Sequence, residues 1–303
     1  MRAASPSTVA LHGPFTHHDL YTRGTRLHAA CAGEASSPLI ILIHDSFSCW
    51  IDFAEVIPLL HEAGFHVAAL DLRGYGMSDK PPHGHDLRIL CGDLNGAIQT
   101  LGHNSAHLVG VGIGATLAWA LATYEPKRVE SISSCGFIHP TDMRRSVIRY
   151  PWLFLNLIAF KVFLALPSGV LKRLSFLLPR ITAHDLKRTT VKEFHSSPGF
   201  MRNLTRRSTA LAISNTLPAV VRSSRLSVVS TPLAWADRII TCPVLFLPGE
   251  KPSRQQRVLE RAARERTLGA IRTVRIPHTK YRPHIENPDD FVNTVVRFIR
   301  GLS

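Results

Sequence analysis

The 303 residues, 45% of them hydrophobic, suffice for one large α/β domain with an insertion or for two ordinary domains, and they exclude a disordered chain. The formal net charge is +14, and residues 141–226 alone carry +12, with fifteen Lys and Arg against Asp142, Asp185 and Glu193, which suits an anionic partner. Five cysteines without paired spacing, and no apolar leader after Met1, argue against a disulfide framework or a metal site and for a cytoplasmic protein; no cofactor is expected.

Residues 15–21 and 26–32 flank Arg23-Gly24 as a hairpin. The unbroken apolar run 39–43 reads as a strand covered on both faces. Helical periodicity over 50–61 leads to a second buried strand at 67–70, ending at Asp71. A helix over 86–101 precedes a strand at 107–111, a helix at 114–124 and a strand at 129–134. From 140 to about 231 helices with short breaks replace the alternation. A strand at 242–247, a charged helix at 254–266, a strand at 272–276 and a helix at 288–299 close the chain. Alternating βα units predict an α/β fold with a mostly parallel central sheet. Its core comprises 1–139 and 232–303, and 140–231 is an inserted, strongly basic helical cap.

The strand at 107–111 runs into Gly110-Val-Gly112-Ile-Gly114 and then into an apolar helix. Strand, Gly-rich turn and helix are the setting of the G-x-nucleophile-x-G elbow, and Gly112 stands in the nucleophile's place. Three further segments follow a family order. Leu42-Ile-His44-Asp-Ser-Phe-Ser-Cys-Trp50 looks like the strand-end H-G loop of α/β-hydrolases. Asp71-Leu-Arg73-Gly-Tyr-Gly-Met-Ser78-Asp-Lys-Pro81 is close to the D-x-R-G-x-G-x-S-D-K-P signature of epoxide hydrolases and their dehalogenase and esterase relatives. Ile276-Pro-His-Thr-Lys-Tyr281-Arg-Pro-His-Ile-Glu286-Asn-Pro288 resembles their closing I-P-x-x-G-H-x-x-H-x-E-x-P segment. The chain therefore resembles an epoxide-hydrolase-like α/β-hydrolase of actinobacterial type, with degenerate catalytic positions.

That resemblance implies a nucleophile, a histidine base and an acid that orients it. The three positions hold Gly112, Tyr281 and Pro252. Tyrosine, ionising near ~10, is a poor general base at neutral pH. The oxyanion loop is His44, Asp45, Ser46 and, after the elbow, Ile113; Asp45 replaces the family's glycine, and a carboxylate facing the pocket would oppose developing negative charge. The cap tyrosines that protonate an opening epoxide are missing between Trp152 and Lys280, leaving Tyr150. Glycine at the elbow removes backbone strain of about 1–3 kcal/mol. Rescue residues are His278 or His284 as base, Asp142 as acid, and Ser46 or Cys49 as an off-elbow nucleophile. Their bland readings are a solvated loop, a packing residue, a helix N-terminal acid, a turn and a buried apolar thiol.

The apolar stretch 150–167, interrupted by Asn156 and Lys161, is too short and too charged to span a bilayer. It reads as a cap helix over the cleft. A sharper reading is an interfacial helix flanked by Arg144, Arg145, Arg149, Lys172, Arg173 and Arg180, binding an anionic surface. No nucleic-acid-binding motif is present, so nucleic acid ranks third, and G-x-G-x-G is not a dinucleotide fingerprint. The leading expectation is an inactive hydrolase-like protein with a binding, scaffolding or regulatory role, a protein partner and room for a small apolar ligand. The alternatives are an active epoxide hydrolase or esterase using non-standard residues, and a membrane-surface or nucleic-acid binder working through the cap, which would make the protein membrane-associated.

Overall fold

The computed structural model describes residues 4–165, 170, 173–224, 226 and 231–302. Eight strands form one sheet: β1 (Thr16–Thr22), β2 (Thr25–Ala32), β3 (Leu39–Ile43), β4 (His66–Leu70), β5 (Ala106–Val111), β6 (Val129–Cys135), β7 (Val244–Leu247) and β8 (Ile271–Thr273), in the order β1-β2-β4-β3-β5-β6-β7-β8. The pairs β1–β2 and β2–β4 are antiparallel, and all later pairs are parallel. Leu42 stands beside Ala69 and Val109, and Val111 beside Cys135. The carboxyl ends of β3, β5 and β6 thus lie side by side, the place where open parallel sheets hold their sites.

Helices α1 (Val56–Glu62), α2 (Leu87–Thr100) and α3 (Ile113–Tyr124) precede β6. Between β6 and β7 come α4 (Pro140–Arg149), α5 (Leu155–Leu164), α6 (Leu178–Thr189), α7 (Pro198–Ala212), α8 (Thr216–Ser223) and α9 (Leu233–Ala236), the inserted helical cap. Helices α10 (Arg254–Arg266), α11 (Pro283–Glu286) and α12 (Pro288–Arg300) complete the chain. Every residue of β3 is buried because both faces are covered, hence its continuous apolar run. Ile41, Leu108 and Ile132 pack with Leu94 and Trp119 of α2 and α3. Ile40, Leu42 and Val109 pack on the other face with Ile57 of α1 and Phe291 of α12.

The periodicity over 50–61 predicts one helix, but the chain forms a 3₁₀ turn at Trp50–Phe53 and then α1. Pro58 has no N–H to give the carbonyl four residues earlier, so it fits only in the first turn of a helix starting at Val56. The last strand pairs only over Ile271–Thr273, shorter than 272–276, which leaves a short edge.

The Asp71–Pro81 signature is a structural bracket. The buried Asp71 carboxylate accepts hydrogen bonds from the Trp50 amide (2.9 Å) and the Met77 amide (2.9 Å) and lies 2.8 Å from His28 Nδ1. A Cβ on Gly76 would fall 2.1 Å from that carboxylate, so glycine lets the loop close on it. Arg73 donates two hydrogen bonds of 2.7 Å to Asp93 of α2. The motif thereby ties the hairpin, β4 and α2 together below the site.

Candidate active site

β5 ends in a sharp turn and α3 begins at once. Gly112 holds φ +54° and ψ −119°. Its N–H reaches the Cys135 carbonyl (3.0 Å) and its carbonyl receives the Thr116 N–H (3.2 Å), so the turn joins the ladder to the first helical turn. The elbow is built as if for a side chain. A Cβ added there would lie 2.1 Å from Asp45 Oδ1 and 2.2 Å from Asp45 Cγ. The volume is already filled, by a carboxylate from the loop after β3.

Asp45 Oδ1 accepts from the Ser46 amide (2.7 Å) and the Ile113 amide (3.1 Å). One amide follows the elbow and the other comes from the β3 loop, the two sources of donors for an oxyanion in this kind of site. Asp45 Oδ2 accepts from Arg282 Nη2 at 3.0 Å. The same guanidinium donates to Asp185 Oδ2 (2.7 Å) and, through Nε, to the Thr189 hydroxyl (2.8 Å). Arg282 is 2% exposed. Burial disfavours its charge, but Asp185, Asp45 and Asp52 outweigh burial and hold its pKa above the ordinary value. A carboxylate facing the pocket is indeed present, but it has taken the amide donors for itself and brought its own cation.

Gly112, Tyr281, Asp45 and Arg282 line one small cavity of about 90 Å³, with Gly136, Phe137 and Gln255. The Tyr281 hydroxyl lies 3.3 Å from the Ser253 hydroxyl, which directly follows Pro252. Pro252 offers no polar side chain, and it is Ser253 that caps α10 through a capping box with Gln256. A larger cavity of about 190 Å³ shares Asp45, Phe137, Asp185, Arg188 and Gln255 and continues under the cap against Phe47, Ile113 and Phe160. Glu286 fixes the closing loop: its carboxylate accepts from the Lys280, Arg282 and Val191 amides.

The rescue residues other than Ser46 lie elsewhere. His278 is exposed at φ +57°, and its amide is held by Glu250. His284 is buried against the Phe53 ring and 3.7 Å from Asp52, and burial holds its pKa below the ordinary value even though Asp52 raises it. Neither lines the two cavities. Asp142 is in a two-pronged ion pair with Arg266 of α10, so it ties helices rather than orienting a base. Cys49 is fully buried, with its thiol pushed well up by burial. Ser46 is the one rescue residue that lines the larger cavity. His44 is enclosed: its Nδ1 meets the Asp45 carbonyl (2.8 Å) and its Nε2 receives the Leu72 N–H (3.1 Å), so it fixes the loop. Tyr150 lines a separate surface cleft with Arg149.

Nothing in the sequence marks Asp185, His184, Arg188 and Gln255 on the cavity wall, or Arg282, as site residues. Arg282 sits in the recognised closing motif, but nothing local marks its pairing with an acid 237 positions away. Arg144, Arg145, Arg149, Arg173 and Arg180 are exposed, and Lys172 lies outside the described residues. Among the described residues no group of His, Cys, Asp and Glu could hold a metal ion, and no helix is long and apolar enough to cross a membrane.

An eight-stranded, mostly parallel sheet with an inserted helical cap, and an elbow at the carboxyl end of β5, define the class. Residues 38–229 match the model of the alpha/beta hydrolase fold family, and the chain belongs to that family. It is 34% identical to the AB hydrolase superfamily protein YfhM of Bacillus subtilis over 155 residues, half of this chain and 54% of that protein. It is 35% identical to epoxide hydrolase B of Mycobacterium tuberculosis over 120 residues, 38% of this chain and 34% of that protein. The chain thus spans about half the length, or less, of these curated relatives. Epoxide hydrolase A from Mycobacterium thermoresistibile has the same fold, with a TM-score of 0.74 at 22% identity over 95% of this chain and 99% of that one.

Proposed function

We propose that this protein is a binding member of the α/β-hydrolase family that has given up hydrolysis and keeps its covered cavity for a small, largely apolar ligand. The observation that carries this reading is Asp45 Oδ1 on both the Ser46 and Ile113 amides, with Oδ2 on Arg282. An oxyanion of a tetrahedral intermediate needs those amides, and a fixed carboxylate there competes with it. Tyr281 and Ser253 supply hydroxyls rather than an imidazole and a carboxylate. The apolar wall of Phe47, Ile113, Phe137, Leu157 and Phe160 suits an apolar ligand body, and Asp45, Asp185, Arg188 and Gln255 supply the few polar contacts. A scaffolding or regulatory role with a protein partner is compatible with the same cavity.

A second reading, an active hydrolase with non-standard residues, draws support from the epoxide hydrolase relatives and from one observation. The Asp45 carboxylate occupies the space of the missing nucleophile, and an aspartate there could open an epoxide from a new backbone position. One experiment separates the two. The wild type and Asp45→Asn are assayed on a panel of epoxides and p-nitrophenyl esters, with mass spectrometry for an ester on Asp45. The binding reading expects no turnover that depends on Asp45 and no adduct, while apolar ligands still raise the melting temperature. Turnover that drops at least about 100-fold in Asp45→Asn, with an adduct on Asp45, would establish the hydrolase instead.

A further inference from the structure

Helix α5 is apolar except for Asn156 and Lys161. Its inner side lines the larger cavity through Leu157 and Phe160, with Leu153 and Phe154 just before it. Leu155, Ala159 and Val162, spaced by four and three residues, share its outer side, and Trp152 stands one step earlier. All four are exposed, and Trp152, Leu155 and Val162 are 63%, 62% and 66% exposed. Ile148 at the end of α4 and Phe176 before α6 are also exposed by more than half. An apolar helix side normally packs on a core or on lipid, yet this outer side faces outward.

The charge around it selects the cover. Arg149, Arg173 and Arg180 are exposed on the segments before and after α5. Arg149 lies over the Tyr150 ring, 5.4 Å from its centroid, and Tyr150 meets Trp152 edge to face. Two copies joined through this face would press the exposed Arg149, Arg173 and Arg180 of one against those of the other. Phosphates of nucleic acid would satisfy the arginines and leave the apolar side uncovered. An anionic phospholipid surface satisfies both.

We infer that α5 docks flat on an anionic phospholipid surface, with Trp152, Leu155, Ala159 and Val162 in the acyl boundary and Arg149, Arg173 and Arg180 among the headgroups. The helix then separates the leaflet from the cavity by its own width. The inference stands whether or not the cavity hydrolyses anything.

The test is flotation of the full chain with phosphatidylcholine vesicles, with and without phosphatidylserine. Binding is expected only with the anionic lipid, and it falls with added salt. Leu155→Glu with Val162→Glu abolishes it, and Arg149→Glu with Arg180→Glu weakens it at least about tenfold. Circular dichroism confirms that each variant is folded; these side chains are exposed, so their replacement leaves the core intact. Absence of flotation on anionic vesicles, or flotation unchanged by Leu155→Glu with Val162→Glu, overturns the inference. So does self-association abolished by those substitutions without vesicle binding, which would assign the face to a second copy.

Discussion

At the elbow, two residues exchange places. Gly112 keeps a backbone conformation that costs a side-chain-bearing residue about 1–3 kcal/mol, and Asp45 fills the space its Cβ would need. The two substitutions are therefore coupled. Gly112→Ala is expected to lose about 2–4 kcal/mol in urea unfolding, from positive φ and from collision with the Asp45 carboxylate. In an Asp45→Gly background the collision disappears and the cost of Gly112→Ala should shrink by at least about 1 kcal/mol. Strictly additive costs would show that Asp45 does not occupy the nucleophile's volume in solution. The vacancy at Gly112 was legible in the sequence, because the turn is local. Its filling was not: Asp45 reads as an acid beside a pocket until Arg282, 237 residues away, is seen to hold it.

The individual elements were legible where burial dictates pattern, as in β3 and β5, and less so where one residue decides a boundary, as Pro58 does before α1. The entry to the cap is of the second kind. His139 Nδ1 accepts the Thr141 N–H at 3.3 Å and caps α4, while Asp142 in the first turn pairs with Arg266 of α10. Sequence reading takes Asp142 as a helix N-terminal acid or a displaced catalytic acid, and only the packing of α4 on α10 shows its partner. His139 is completely buried, and burial first, then Arg266 and Arg145, hold its pKa well below the ordinary value. Protonation would also remove the acceptor that caps the helix. The unfolded chain takes up this proton below about pH 6.5 while the folded chain refuses it, so its contribution is complete above that pH and is lost as pH falls. Unfolding free energies measured between about pH 7.5 and 5 should therefore decline toward acid. His139→Asn, which keeps a capping acceptor at every pH, should make that decline shallower. An unchanged slope would mean that His139 titrates normally in the fold.

Over the whole molecule, part of the cap's positive charge has an internal purpose. Arg207 of α7, fully buried, holds Asp52 in a two-pronged ion pair, and Arg202 and Arg206 reach Glu55, so one helix of the cap grips the loop before α1. Arg282 and Asp185 join the closing loop to α6, and the Tyr75 and Ser223 hydroxyls join the signature loop to α8. Burial opposes the Asp52 charge, but Arg207, then His284 and Arg282, hold its carboxyl well below the usual range. Such a pair adds little over a well-packed apolar contact, yet losing one member strands a buried charge. Arg207→Met should thus cost about 3–5 kcal/mol, and adding Asp52→Leu should recover at least about 1 kcal/mol of it, since the stranded carboxylate is gone. Because these ties cross from cap to core, tryptophan emission, which samples Trp152 of the cap with Trp50, Trp119 and Trp235 buried in the core, should change in the same transition as far-UV circular dichroism. In Arg207→Met the two curves should part, the cap loosening first while the sheet persists. If they stay coincident in that variant, the Arg207–Asp52 pair is not what couples the cap to the core, and the remaining ties suffice.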